Sequence, residues 1–173
     1  MIKNFKLYEK NQNKPDVNSL SPKFWEMVRI MNWNFLIKYY TTHLFNDKFN
    51  FIEKAESRIY IKYTYDEIKQ FDNEYHIFYS KLYDYFRIKI CGKNINIPSD
   101  DGYSDLLSSI IGKGKTFAKK CINDVDVFIK MIIDNDYMEN FGYFLHTDED
   151  YYWFIIEKYY PTHYRVIAKK YNL

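Results

Sequence analysis

Apolar residues along this chain recur every three or four positions, which is the spacing of one face of an α-helix. The clearest run follows Thr64, because Glu67 stands three residues later as in a helix-opening capping box. The run ends at Cys91 and Gly92, where glycine can adopt the left-handed conformation that closes a helix. The pattern therefore predicts a long helix between these points. Its apolar positions are Ile68, Phe71, Tyr75, Phe78, Leu82 and Tyr85 or Phe86.

A shorter amphipathic helix is predicted nearer the N-terminus. Ser21 followed by Pro22 is typical of a helix start, with serine as the N-cap and proline in the first helical position. This helix has a predicted break near residues 32–34. Residues 47–63 predict a second, weaker helix, although the alternating apolar positions from Ile59 to Tyr65 also fit a strand, and both interpretations stay open. The apolar positions of the first helix are Phe24, Val28, Met31, Phe35 and Tyr39.

The remainder of the chain predicts short helices joined by tight connections. A loop over residues 93–98 leads to Ser99 and Asp100, either of which can accept hydrogen bonds from the first N–H groups of a helix. The predicted elements are a helix over 102–111, a glycine turn over 112–114, helices over 116–121 and 124–133, a helix over 151–159 opened by a capping box of Thr147 and Asp150, and a final turn or helix over 161–171.

These elements predict an all-α, single-domain helical bundle of about six to eight helices, with a short N-terminal strand or arm. The chain has 173 residues, enough for one core, and shows no linker, repeat or low-complexity tract. We assign residues 1–20 to the polar arm and 21–173 to the helical domain. Within that domain, residues 21–135 form the predicted core and 136–173 a C-terminal helical extension.

Composition narrows the function classes without selecting one. The net charge is only +2, with 25 basic and 23 acidic residues intermingled, so no global field favours nucleic acid or membrane. The 21% aromatic content is explained by core packing. Cys91 and Cys121 lie far apart and predict free thiols in a reducing compartment. With no secretory signal and no uncharged run of membrane-spanning length, the sequence predicts a cytoplasmic protein.

An ordered set of motifs resembles the bacterial domain of unknown function 4240 family. They are Phe24-Trp25, a long helix with Phe71, Tyr75, Leu82 and Tyr83, the cap Ser99-Asp100-Asp101-Gly102-Tyr103, the turn Ser109-Ile110-Ile111-Gly112-Lys113-Gly114 and the acidic step Asn123-Asp124-Val125-Asp126. The similarity covers about residues 21–133. It implies a helical fold and no particular activity, since none is established for the family.

Two segments have side chains suited to chemistry. Asp100 and Asp101 are a paired-carboxylate candidate for acid–base work with His76, but a helix cap with an acidic first turn explains them without a reaction. The glycine turn carries Lys113 and Lys115, and Lys119 follows, so a phosphate can be bound there. A complete phosphate-binding loop is absent, because that loop needs glycine where Ser109 stands.

The four histidines show no metal-ligand spacing, so we predict no metal and no cofactor. His43, His76, His146 and His163 are dispersed, and an acidic first turn explains the segment after His146 without a ligand.

Aromatic residues near the C-terminus predict a protein-binding surface, because one helix cannot bury every face against one neighbour. We therefore predict a protein-binding domain of unknown biological role, of the adaptor or immunity and antitoxin type, with an unidentified protein partner. Whether it is also an enzyme stays open, with a small hydrolase or small-molecule-binding enzyme as the alternative and a weak nucleic-acid or phosphate binder as the third. The predicted surface residues are Tyr151, Tyr152, Trp153, Tyr159 and Tyr160.

Overall fold

The computed structural model describes residues 14–31, 45–136 and 148–165, and every regular element in these ranges is helical. The prediction of an all-α fold is therefore confirmed. The helices are α1 (Pro22–Met31), α2 (Phe45–Tyr60), α3 (Tyr65–Ile90), α4 (Asp100–Gly112), α5 (Lys115–Asn123), α6 (Val125–Ile133) and α7 (Glu149–Tyr159), with a further helical turn over 161–165.

Several predicted features lie outside the described residues. They include most of the N-terminal arm, the predicted break near residues 32–34, the end of the final predicted helix beyond residue 165, and the positions Phe35, Tyr39, His43, His146 and Thr147.

The chain divides into two compact units, and the division falls within α3. One unit contains the described residues 14–21 and 75–136, and the other contains 22–31, 45–74 and 148–165. The boundary predicted at residue 20 and the extension predicted from residue 136 stay predictions.

In the unit that contains α1, α2 and α7, α2 packs against both of the other helices. Phe24 stacks on Phe71 with ring centroids 4.8 Å apart. Tyr60 meets Tyr152 edge-on, with 5.2 Å between their centroids. These aromatic pairs contribute area and specific geometry to the core, which is the role that composition predicted for most of the aromatic residues.

In the other unit, the second part of α3 runs antiparallel to α4. The Tyr75 hydroxyl lies 2.9 Å from Ser108 Oγ, and the Tyr79 hydroxyl lies 2.8 Å from Ser104 Oγ. A step of one turn forward on α3 is thus matched by a step of one turn backward on α4. Helix α4 also packs on α5, and α5 on α6.

Local signals placed most helix ends correctly. The Thr64 N–H donates to Glu67 Oε2 (2.9 Å) and the Glu67 N–H donates to Thr64 Oγ1 (3.3 Å), so the predicted capping box is confirmed. Gly92, two residues after the end of α3, has φ +79°, and Gly114, just before α5, has φ +94°, in the left-handed region that favours glycine.

Two other predictions, for the end of α2 and the start of α7, differ from the structure. Residues up to Tyr60 belong to α2 and a turn follows, so the strand interpretation of the segment from Ile59 is wrong. The cap of α7 is Asp148, whose Oδ1 accepts from the Tyr151 N–H at 3.0 Å. Asp148 is the capping residue in place of Thr147, because the helix begins at Glu149, one residue later than the capping-box pattern required.

None of the helices in the described ranges, including the 26-residue α3, is both long and apolar enough to cross a membrane.

Candidate functional site

The residues Ser99 to Asp101 form a helix cap. Ser99 Oγ accepts from the Gly102 N–H at 3.3 Å, and its carbonyl accepts from the Tyr103 N–H at 2.8 Å. Asp100 and Asp101 are exposed in the first turn of α4, where their charges complement the positive helix end. Ser99 is thus the capping residue, and both aspartates lie at the surface.

The structure does not bring His76 to the two aspartates. His76 is exposed and its ring meets Tyr75 edge-on, with 5.7 Å between ring centroids. Tyr75 lies opposite Ser108, which is about 12 Å along α4 from Asp100 at ~1.5 Å per residue. An acid–base group made of Asp100, Asp101 and His76 is therefore not assembled.

A groove opens instead between α3 and the start of α4. Its volume is about 170 Å³. Arg87 Nη1 donates to the Tyr83 hydroxyl (2.9 Å), and the rings of Tyr83 and Tyr103 meet edge-on at 5.3 Å. Burial raises the pKa of Tyr103, so its hydroxyl stays protonated and neutral. The lining residues are Tyr83, Arg87, Ile90, Ile97, Pro98, Asp100 and Tyr103.

The sequence singled out Tyr83, Asp100 and Tyr103 but did not predict that they line one groove. The sequence did contain one signal for this contact between α3 and α4. Tyrosine stands at every fourth position of α3, at 75, 79 and 83, and serine stands at the same spacing on α4, at 104 and 108. That pattern indicates facing polar stripes on two helices. The contribution of Ile97 and Pro98 depends on how the loop returns, which no local pattern specifies.

Of the three lysines predicted to bind phosphate, Lys113 is already paired with a carboxylate. Lys113 Nζ lies 2.6 Å from Asp136 Oδ2 and also donates to the Asp136 carbonyl at 3.2 Å, and its side chain is only 12% exposed. It lies over the Phe117 ring as well. Lys115 is exposed. The inclusion of Lys113 is corrected, because its charge is already paired.

Lys119 and Lys14 both line a second groove, which has a volume of about 280 Å³. There Lys14 Nζ donates to Asn123 Oδ1 at 2.6 Å. This groove adjoins the last turn of α5, the negative end of that helix dipole, which disfavours a phosphate.

Three of the predicted surface tyrosines use their hydroxyl groups within their own unit. Tyr151 donates to Glu56 Oε2 (2.9 Å), and Tyr159 donates to Glu53 Oε2 (3.1 Å). Burial and the nearby Glu56 carboxylate raise the pKa of Tyr151. Tyr152 is buried, with its hydroxyl 3.4 Å from the carbonyls of Tyr60 and Tyr63. These contacts hold α7 against α2 and the turn after it.

The outer face of α7 keeps aromatic side chains at the surface. Phe154 is 51% exposed. Trp153 is half-buried and packs its ring on Tyr152 and Tyr164, with centroids 4.9 and 6.3 Å away. Tyr160 is also half-buried. Tyr151 and Tyr159 are half-buried too, so each predicted binding residue except Tyr152 reaches the surface in part, and Phe154 joins them.

No group of three histidine, cysteine, aspartate or glutamate side chains within the described ranges is arranged to hold a metal ion. Both cysteines are free, Cys91 exposed and Cys121 buried. Burial raises the pKa of the Cys121 thiol to about 12, which leaves it a poor nucleophile.

Comparison with known proteins finds no matching family model, no matching curated protein and no matching solved structure. Membership of the domain of unknown function 4240 family therefore stays a prediction.

Proposed function

We propose that this protein is a protein-binding domain, and that the outer face of α7 contacts a protein partner. The observation that carries the proposal is the exposure of Phe154, at 51%, beside the half-buried Trp153. Large aromatic side chains supply much of the binding energy at interfaces, because they bury extensive area and fix it with few rotatable bonds.

The charges around Phe154 indicate the chemistry of the partner. Glu149, Asp150 and Glu157 are exposed and make no ion pair with any described residue. The neighbouring cation, Lys158, is paired with Glu53. The face is therefore locally acidic although the whole chain carries a net charge of +2. A partner with a basic, apolar surface is complementary to it.

Such a domain acts by covering a surface of its partner, as an adaptor or an immunity or antitoxin-type protein does. The free thiols agree with a reducing compartment, so we place the protein in the cytoplasm. The hydrolase alternative has weaker support, because His76 is remote from Asp100 along the α3–α4 pair.

The proposal is tested by isolating the partner and measuring its affinity for variants of the α7 face. Phe154→Ala is expected to weaken binding at least about tenfold, and Glu157→Lys to reduce the association rate. Ile77→Ala is the matched control for the first change, since Ile77 is an apolar α3 residue that is 48% exposed. Asp84→Lys, also on exposed α3 surface, is the control for the second.

A partner that binds the Phe154→Ala variant as tightly as the wild type would contradict the proposal. So would an equal loss of affinity in the Ile77→Ala control.

A further inference from the structure

The groove between α3 and the start of α4 combines an exposed apolar surface with two unneutralised charges. Ile97 is 47% exposed at this groove, beside Pro98 and above the buried Ile90 and Tyr103. Exposed apolar area of this kind favours a ligand that can cover it, because its removal from water is favourable.

Arg87 retains most of its hydrogen-bonding capacity. Its described contacts are a hydrogen bond to the Tyr83 hydroxyl and a cation–π contact with that ring, both within α3. A guanidinium has five N–H donors in a fork that fits a carboxylate. Arg87 has no ion pair with a carboxylate in the described part of the chain. It can therefore receive a ligand carboxylate without first breaking an ion pair.

Asp100 supplies the opposite charge on the other wall. Ser99, and not Asp100, caps α4, and Asp100 accepts no hydrogen bond from any described donor. Continuing the pairing of Tyr75 with Ser108 and Tyr79 with Ser104 places Asp100 level with Tyr83. Arg87 is then four residues further along α3, about 6 Å along the axis at ~1.5 Å per residue.

We infer that this groove binds a small zwitterion of the α-amino-acid class. The carboxylate lies on Arg87, the ammonium on Asp100 and an apolar side chain against Ile97 and Pro98. A volume of about 170 Å³ is below the ~300–1,000 Å³ of sites for larger ligands and suits a ligand the size of one amino acid. A simple anion is repelled by Asp100 and a simple cation by Arg87, and only a ligand with both charges satisfies both walls. This inference is independent of the proposed contact through α7.

The test uses three related probes with the full chain: leucine, N-acetyl-leucine and leucinamide. Titrations are followed by two-dimensional ¹H–¹⁵N NMR, which reports on the Arg87 side-chain N–H and the backbone amide of Gly102. Leucine is expected to bind at least about tenfold more tightly than either of the others, since each of those lacks one charge.

Matched variants assign the two charges. Arg87→Gln and Asp100→Asn are each expected to weaken leucine binding about tenfold. Lys89→Gln, on exposed α3 surface outside the groove lining, and Asp101→Asn, the adjacent first-turn carboxylate, are expected to change it less than about twofold.

Three results would overturn the inference. The first is the absence of any leucine-dependent shift at Arg87 or Gly102. The second is N-acetyl-leucine binding as tightly as leucine, which would indicate a carboxylate site alone. The third is that free leucine does not bind while a peptide that carries lysine, leucine and glutamate side chains away from its ends does. That result would make the groove a contact for a protein segment.

Discussion

At the scale of single residues, buried hydroxyl groups differ in whether they are paired. The Tyr75 hydroxyl is bonded to Ser108, a fully buried serine, at 2.9 Å. The Tyr63 hydroxyl is buried and makes no hydrogen bond of normal geometry with a described residue, although the Glu26 carboxylate lies near it and, after burial, raises its pKa. A buried polar group costs free energy when it is unpaired, so these two tyrosines contribute differently to stability although both lie in the core.

Removing each hydroxyl tests this difference. Tyr75→Phe is expected to lower the free energy of unfolding by about 1–3 kcal/mol, because Ser108 then loses its hydroxyl partner. Tyr63→Phe is expected to lower the free energy of unfolding by less than Tyr75→Phe does, because only the interaction with Glu26 is lost. Urea unfolding of both variants measures the two values, and a larger loss in Tyr63→Phe than in Tyr75→Phe would contradict the assignment.

The two cysteines are expected to react at very different rates. With a pKa of about 12, roughly one Cys121 side chain in 10⁴ is a thiolate at about pH 8, and the thiolate is the reactive form. Cys91 is exposed. Iodoacetamide followed by peptide mass mapping should show modification at Cys91 alone in the folded protein and at both positions in urea. Equal labelling of both in the folded protein would show that the packing around Cys121 is wrong.

At the scale of elements, helix ends could be predicted because their signals are local. Thr64 and Glu67 cap α3 through contacts three residues apart, and Ser99 caps α4 in the same way. The end of α2 could not be predicted from alternation at Ile59. That residue is fully buried, and tertiary packing decides its conformation. The capping pattern at Thr147 was likewise ambiguous, because the adjacent Asp148 is an equally good N-cap.

The α3 cap makes stability depend on pH. Lys23, and after it the Thr64 N–H, lower the pKa of Glu67 below its ordinary value of 4.5. A carboxyl whose pKa is lower in the folded state than in the unfolded state stabilises the fold when the pH is above its unfolded-state pKa. This stabilisation is lost as the pH falls through the folded-state pKa. The difference in unfolding free energy between wild type and Glu67→Gln should therefore be largest above pH 4.5 and become smaller at lower pH.

Urea unfolding at about pH 7 and about pH 3 measures this difference. Glu157→Gln is the control, because Glu157 is exposed and makes no ion pair with described residues. A constant difference between wild type and Glu67→Gln across the pH range would contradict the assigned interaction.

At the scale of the whole molecule, the features that the sequence did not specify were contacts between distant residues. Tyr151 and Glu56 are 95 positions apart, and Lys113 and Asp136 are 23 apart. Periodicity shows which face of a helix is apolar, but it does not show which charged or hydroxyl group the fold places opposite. The sequence thus showed that the aromatic cluster of α7 is unusual. Only the structure showed which of its residues bond within the protein and which lie at the surface.

The most direct test of the α7 contact is site-specific photo-cross-linking in the cell that expresses the protein. A photoreactive phenylalanine analogue placed at residue 154 is expected to cross-link one protein with a basic surface, which then binds the purified chain with an affinity that falls as salt rises. The same analogue at the exposed Lys81 position of α3 is expected to leave that protein unlinked. Equal cross-linking from both positions would contradict the account. So would a partner that is cross-linked from another surface of the protein but not from residue 154.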